Sequence, residues 1–483
     1  MEMSSDAEMF DRGTALKAAG DFRGAIGVFW DFIKANPDHP GAYKSLGDCL
    51  FRLQEYQKAM VAYKKALALS PGHRGILTNL GAAHQQLSNW DEALAAYEGV
   101  LAQAPTDRNA LNNLGVIELE RNNLERAEGL FSEVIAVDPN WPEAYMNLGI
   151  VQRLLAKYPE SKASYQKVIQ LNPDNSAAHL NLGMAHLGLG EFKEGWQEYL
   201  WRIHSEKTIS SQFDVPLWDG SEQPQKRLLV HAEQGLGDTL QFVRYLSLAK
   251  SRVSELVFRV QPVLHSLLEN LDGVDEFWIE GESPRDFDCH IPLMNLPAIF
   301  EAAEATIPAP GGYLTPQGDC PSWLKNYFGQ PTTQRRFGLV WAGNPGHSND
   351  RRRSCPFEEL QPLISRTDTQ WFSLQKGERE QDLTQFDWAS EVIDLGSQFS
   401  DFNDTAFAMK ELDGVISVDT SAAHLAGALG VRLWLMIPFV PDWRWLLSRQ
   451  DTIWYQSARL FRQENRDDWA TVVDALGKEL DQG

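Results

Sequence analysis

The sequence is poor in cysteine, in long apolar runs and in positive charge, and each deficit narrows what the chain can do. Four cysteines, Cys49, Cys289, Cys320 and Cys355, lie scattered through 483 residues without metal-ligand spacing. Reduced thiols are expected rather than a disulfide framework or a zinc site. The longest apolar run, Leu433 to Val440, falls far below the roughly 20 residues of a membrane helix, and the acidic opening MEMSSDAEMF lacks an apolar core. A soluble, cytoplasmic protein with no membrane span is expected. Lys and Arg number 44 against 66 Asp and Glu, a net charge of −22. That balance argues against general binding to a phosphate backbone, and hence against nucleic acid as a partner.

What is abundant is periodicity. Gly13, Gly47, Gly81, Gly115, Gly149 and Gly183 fall 34 residues apart. In phase with them run Ala25, Ala59, Ala93 and Ala127, the aromatics Phe29, Tyr63, Tyr97, Phe131, Tyr165 and Tyr199, and Pro37, Pro71, Pro105, Pro139 and Pro173. The small residues let two antiparallel helices per unit approach, the aromatic fills the gap beside them, and Pro stops the second helix. Six units are expected over residues 6–209. This pattern resembles the tetratricopeptide repeat (TPR), which implies an α-helical superhelix whose concave side is lined by the first helix of each unit.

One residue before the Leu-Gly pair of successive units stand Ser45, Asn79, Asn113, Asn147 and Asn181. Amides carry both donor and acceptor, so a ladder of them can hold the backbone of an extended peptide. The arrangement is similar to the asparagine ladder in the TPR half of the eukaryotic O-GlcNAc transferase, which implies a protein or peptide acceptor in the groove. An Asn at this place serves equally to satisfy a helix-helix contact. The sixth unit departs from the others at Gly195, and residues 210–226 read as a cap and linker. Trp196, Trp201 and Trp218 are expected to cover the open apolar end of the array.

From Arg227 the period changes to short β-rich runs alternating with helical stretches: RLLVHA, ELVFRV, EFWIE, FGLVWAG, QWFSLQ, EVIDLG, GVISVD and RLWLMIPF. An α/β domain of two Rossmann-like lobes follows, residues 227–330 and 335–483. Ligands of open α/β sheets bind at the carboxyl ends of strands, which directs attention to three loops. The first, from His231 to Asp238, carries Gly235 and Gly237 ahead of a helix expected near Thr239; Asp238 there is either a reactive group or an N-cap. The second, from Gly343 through Asn344 to Ser354, ends in Arg351, Arg352 and Arg353, guanidinium forks suited to a diphosphate or simply solvated. In the third, Asp419, Thr420, Ser421 and His424 open a helix whose first amides suit phosphate oxygens, with a packing role as the alternative for His424.

Five ordered blocks between Arg227 and Gln463, HAEQGLGDTLQFVRYL, FGLVWAGNPGHSNDRRRS, WFSLQKGE, SVDTSAAHLAGALG and PFVPDWRWLL, resemble the GT-B glycosyltransferases of the heptosyltransferase-like family 9. The resemblance implies that Asp238 is the general base for an acceptor hydroxyl, with His231 and Glu233 as rivals in the same loop. It implies a nucleotide and phosphate site of Gly235, Gly237, Asn344, Arg352, Arg353, Gln375, Lys376, Asp419, Thr420, Ser421 and His424. A final helix near Trp469 to Leu480 is expected to cross back. The implied reaction is metal-independent, inverting transfer of a sugar from a nucleotide-sugar to Ser or Thr of a protein, without a cofactor. Asp286-Phe-Asp288 matches the metal-binding Asp-x-Asp only by chance on this reading. Transfer to a cell-envelope glycan and an inactive scaffold are the alternatives, and a homodimer is compatible with such an array.

Overall fold

The computed structural model describes residues 2–205, 213–283, 285–309, 311–329, 331–347 and 349–482. The last expected array residues, 206–209, and the first of the linker, 210–212, lie outside the described residues. The 34-residue period is realised as helix pairs. First helices begin at Glu2, Pro40, Arg74, Arg108, Pro142 and Ser176, and second helices at Phe22, Tyr56, Trp90, Leu124, Tyr158 and Phe192. In the first five repeats the second helix ends two to four residues before the periodic proline, which lacks the N–H needed to continue it.

The first five periodic glycines, Gly13 to Gly149, have a shared reason to be glycine. A Cβ on Gly47 would lie 2.5 Å from the Tyr63 ring, and one on Gly115 2.7 Å from the Phe131 ring. The aromatic of the second helix therefore occupies the space a side chain would need. A second periodic position emerges in the turn between the paired helices. Gly20, Gln54, Ser88, Asn122, Ala156 and Gly190 all have positive φ, between 58° and 83°. A single left-handed residue reverses the chain in every repeat.

The chain forms two compact units, residues 1–175 and 176–483. The sixth repeat, expected with the array, thus packs with the α/β part. The described residues of that second unit form ten strands: β1 (Gln223–His231), β2 (Val253–Val260), β3 (Glu276–Ile279), β4 (Cys289–Pro292), β5 (Arg335–Val340), β6 (Thr369–Ser373), β7 (Val392–Asp394), β8 (Gly414–Val418), β9 (Leu433–Ile437) and β10 (Ala458–Arg462). They form a four-stranded sheet, β3-β2-β1-β4, and a six-stranded sheet, β10-β9-β8-β5-β6-β7. Every ladder is parallel. Both sheets reverse direction beside their first strand, between β1 and β4 and between β5 and β8. Such switch points open a crevice beyond the carboxyl ends of the flanking strands.

One apolar core runs from Leu187, Trp196 and Tyr199 of the sixth repeat through Leu228 and Phe258 of the first sheet to Leu433 and Leu435 of the second. Another covers the opposite face of the second sheet, where Trp469, Val472, Val473, Leu476 and Leu480 pack with Phe337, Leu339 and Leu363. The final helix, Trp469–Gln482, therefore buries its apolar stripe in the core of the second sheet, where the resemblance implied a crossing back to the first lobe.

Candidate active site at the carboxyl ends of the strands

The loops after β1 and β8 meet directly. The helix Leu236–Phe242 packs on the helix Ser421–Ala428, and a Cβ on Gly237 would lie 2.8 Å from His424 Cδ2 and 3.4 Å from Ser421 Cα. Glycine at 237 is what permits this approach of two lobes. The first helix begins at Leu236, earlier than the expected Thr239, so Asp238 sits in its first turn.

Asp238 has both oxygens engaged. Oδ2 accepts the Gly235 N–H at 2.9 Å, and Oδ1 accepts from the Arg444 guanidinium. The N-terminal turn favours the carboxylate in this place. Arg444, 8% exposed, also donates to Gln241 Oε1 at 2.7 Å and to Asp442 Oδ1 at 2.8 Å, and its guanidinium carbon lies 4.3 Å from the Trp443 ring centroid. Burial opposes its charge, but Asp442 and Asp238 reverse the balance and shift it upward, keeping it cationic. Sequence reasoning passed over this arginine, whose sole signal was a cation amid the aromatic run WRWLL.

Around the β8 loop two groups are held in their neutral direction. Burial, followed by the neighbouring Asp442, raises the Asp419 carboxyl from 3.8 to about 6, against a hydrogen bond to Trp445 and the charges of Arg444 and Arg353. Burial, with Arg444, Arg244 and Arg353, pushes His424 well below its usual value. His424 Nδ1 lies 2.8 Å from the Tyr455 hydroxyl, which burial keeps protonated and able to donate. A neutral ring accepting at Nδ1 carries its proton on Nε2, 3.9 Å from Asp419 Oδ1. Thr420 caps the helix Ser421–Ala428 without a side-chain hydrogen bond to its first amides. Those N–H groups give this end of the helix an affinity for anions.

The β5 loop supplies the remaining cation. Arg353 Nε approaches Asp350 Oδ1 at 3.4 Å, and a Cβ on Gly343 would collide with Arg353 at 2.5 Å. Asn344 uses Oδ1 to accept the Gly346 N–H at 2.9 Å, closing a turn on the surface. Arg352 lies beside Arg353 in the short helix Asp350–Arg353. Arg353, like Arg444, has a charge that reaches Asp419 and His424. Gln375 and Lys376, implied phosphate contacts, are spent on the backbone. Gln375 accepts from the Trp341 and Ala342 N–H groups at 3.1 and 3.0 Å and donates to Ala342 O and Lys376 O. Lys376 Nζ donates to Gly396 O at 3.0 Å and Phe399 O at 3.1 Å. Both shape the loops after β5 and β7.

The rival bases are placed differently from Asp238. His231 is fully buried at the end of β1, its Nε2 3.2 Å from His290 Nδ1, and burial with the His290, Arg259 and Arg202 charges lowers it to about 3. Glu233, 6% exposed, pairs with the buried Arg202 of the sixth repeat. His231 is thus a weak proton acceptor, and the Glu233 carboxylate is engaged by an ion pair. Asp288 accepts the Arg227 N–H at 2.8 Å and precedes β4. Asp286 and Asp288 therefore lie at the amino-terminal edge of the sheet, away from the three loops. Among the described residues no helix is long and apolar enough to cross a membrane.

The asparagines of the array do not behave as one ladder. In the first unit Asn79 Nδ2 donates to Asp48 Oδ1 of the preceding repeat at 2.8 Å, Asn147 Nδ2 donates to Asn112 Oδ1 at 3.0 Å, and Asn113 hydrogen-bonds the Tyr97 side chain. These three join neighbouring repeats. In the second unit Asn181 Nδ2 donates to Ala177 O of its own helix at 2.8 Å. The expected tryptophan cap also divides. Trp201 stacks on His179 at 3.9 Å, whereas Trp218 is buried beside β4, its backbone N–H donating to His290 O at 2.8 Å and its indole N–H to Ser221 O at 3.0 Å.

Comparison with known proteins bears on the repeats. Residues 10–74 and 78–145 match one tetratricopeptide repeat family, and residues 154–190 match a second TPR repeat family. Protein FlbA of Caulobacter vibrioides is 25% identical over 331 residues, covering 60% of this chain and 52% of that protein. The chain thus spans about half the length of this curated relative. A tetratricopeptide repeat protein from Parabacteroides merdae is 20% identical, with a TM-score of 0.38, over 42% of this chain and 80% of that one. MamA from Desulfovibrio magneticus is 22% identical, with a TM-score of 0.33, over 35% of this chain and 97% of its own. The amino-terminal region of the chain is a tetratricopeptide repeat array, followed by a domain of parallel sheets and helices.

Proposed function

We propose that the protein is a GT-B-type glycosyltransferase that moves a sugar from a nucleotide-sugar to a Ser or Thr hydroxyl of a polypeptide engaged by the TPR array. The observation that carries this reading is the meeting of the β1 and β8 loops across two doubly wound sheets, with Asp238, Asp419, His424 and Arg353 converging on one crevice. In the reaction, Asp238 takes the proton of the acceptor hydroxyl as its oxygen attacks the anomeric carbon. The bond from the anomeric carbon to the nucleotide's phosphate oxygen breaks on the opposite face, the nucleoside phosphate leaves with that electron pair, and configuration inverts. Arg353 and the first amides of the helix Ser421–Ala428 stabilise the departing charge. His424 Nε2 adds a neutral donor. The match to FlbA covers 60% of the chain, more than the repeats occupy, so that similarity supports the two parts as one evolutionary unit.

A non-catalytic reading has one specific observation in its favour: both Asp238 oxygens are engaged, one by a helix amide and one by Arg444. The two readings part in one experiment. Full-length protein is incubated with a panel of nucleotide-sugars and candidate acceptor proteins, and transfer is followed by intact mass. An added hexose, heptose or nonulosonate mass that disappears in Asp238→Asn supports the transferase. Absence of both transfer and thermal stabilisation by UDP, GDP, ADP or CMP leaves the scaffold reading.

A further inference from the structure

The sixth repeat breaks its own pattern in a way that leads into the crevice. At Gly195 the preceding repeats carry Ala or Ser, and a Cβ there would lie 2.7 Å from Leu187 Cγ and 3.0 Å from Leu187 N. The absent methyl lets the helices Ser176–Gly188 and Phe192–Tyr199 close up. As a result Gly183 faces the Tyr199 backbone nitrogen, at 2.6 Å from a notional Cβ, where Gly149 faces the Tyr165 ring. The Tyr199 ring is released from the helix pair. It stands 5.9 Å from the Trp443 ring instead.

Trp196 follows the same direction. One and two repeats earlier its position holds Lys162 and Glu128, and in the first three repeats the partly buried Ile26, Met60 and Leu94. Here the indole is 3% exposed, donates from Nε1 to Ala302 O at 2.7 Å and meets Trp443 edge to face at 5.3 Å. Trp443 in turn stacks beneath Arg444, which holds Asp238. The segment is fixed from its other side as well: Trp454 Nε1 donates to Arg444 O at 3.1 Å, and Arg462 donates to Leu446 O at 3.1 Å and to Trp445 O. Arg444 is thereby set by aromatic packing on one side and backbone hydrogen bonds on the other.

We propose that the sixth repeat belongs to the catalytic apparatus, with Trp196 and Tyr199 as positioning residues that set Arg444 through Trp443 and, through Arg444, the Asp238 carboxylate. The consequence for turnover rests on the transferase reading; the positional coupling itself does not. Trp196 and the redirected Tyr199 pack on Trp443, beneath the Arg444 guanidinium that donates to Asp238. A displacement of the order of 1 Å at such a group is enough to cost about a hundredfold in rate.

The test uses the full chain with Trp196→Leu, Tyr199→Leu and the milder Trp196→Phe, which keeps an aromatic ring but loses the bond to Ala302 O and part of the indole's bulk. Hydrogen exchange followed by mass spectrometry is read on peptides covering 235–242 and 442–446. In either Leu variant exchange is expected to rise about fivefold or more in both peptides, with β6 and β7 unchanged, and in Trp196→Phe to rise less. Unchanged exchange in both peptides, or an equal rise in β6 and β7, overturns the proposal. With an active donor and acceptor pair, Trp196→Leu is further expected to lower kcat about tenfold while the dissociation constant for the nucleoside diphosphate stays within about twofold. That loss should vanish in an Arg444→Gln background, and additive losses overturn it. If the wild type transfers nothing, the transferase reading fails while the exchange measurement still decides the coupling.

Discussion

The fifth and sixth repeats start from the same glycine and arrive at different packing. In the fifth, Gly149 lies against the Tyr165 ring, and the buried Ser161 donates to Gly149 O at 2.8 Å. In the sixth, Gly195 replaces that small side chain, the helices close, and the aromatic ring of Tyr199 turns to Trp443. Loss of one side chain redirects a ring from the interior of a repeat to the wall of another domain. The period records what helix pairs need from one another, and the departure from it marks where the array has a second neighbour.

Gly183→Ala and Gly149→Ala measure that difference most strongly. At Gly149 the new methyl meets an aromatic ring, which can tilt; at Gly183 it meets the Tyr199 backbone, which cannot move without the whole helix. Overpacking of this kind costs typically 1–3 kcal/mol, and the larger loss, about 3 kcal/mol, is expected at Gly183. Urea unfolding of full-length variants reads it, and equal losses at the two sites would remove the proposed contrast.

The next effect contrasts a group in the crevice with those on the surface. Because the folded carboxyl of Asp419 is raised from 3.8 to about 6, folding takes up a proton between those values. Its contribution to stability is full below the unfolded value and is lost as pH rises through about 6. Asp419→Asn should therefore be neutral near pH 3 and stabilising by about 3 kcal/mol above pH 7. Thermal unfolding across this range decides it; a variant that gains nothing at the higher pH shows that Asp419 is solvated well enough to ionise normally.

Asn147→Ala against Asn181→Ala tests whether the asparagines are one ladder or two kinds of contact. Removing Asn147 leaves the buried Asn112 Oδ1 without its amide partner, at a cost of about 1 kcal/mol. Among the described residues Asn181 bonds its own helix, and its loss should fall within about 0.5 kcal/mol of neutral. Affinity for an acceptor polypeptide, read by calorimetry on the same variants, separates groove from scaffold. A loss of affinity at Asn181 without a loss of stability marks a peptide contact.

Much of this was legible in the sequence, for a physical reason that also sets the limit. Repetition averages out local ambiguity, so helix pairs, their proline ends and the parallel strands could be read from residue types alone. The strand β10 escaped because ARLFR is short and follows a turn-like WYQS, and only its ladder with β9 identifies it. Three adjacent arginines stand out in an acidic chain, whereas Arg444 sits inside an aromatic block. Its partner Asp238 is 206 residues away, and no spacing rule reaches that far. Gln375 and Lys376 show the converse. Their residue types suit a phosphate, but loops needing internal fasteners claimed both.

The turn between paired helices was hidden in the same way, and it supplies the smallest and cleanest contrast. Gly20 and Gly190 occupy the left-handed position at φ 83° and 80°, while Ala156 occupies it at φ 59°. An L-residue with a Cβ pays roughly 1–2 kcal/mol there, and Ala has no polar side chain to bond locally in return. Ala156→Gly removes that strain but gives the unfolded chain more freedom, worth about 0.5–1 kcal/mol in the opposite direction. The net gain should be about 0.5 kcal/mol, and Gly190→Ala should lose a comparable amount. Both residues are solvent-accessible at helix ends, so packing changes little and the difference reads backbone conformation alone. A destabilised Ala156→Gly, measured by urea unfolding, would mean that the strained turn is held so firmly by the helices on either side that chain entropy outweighs it.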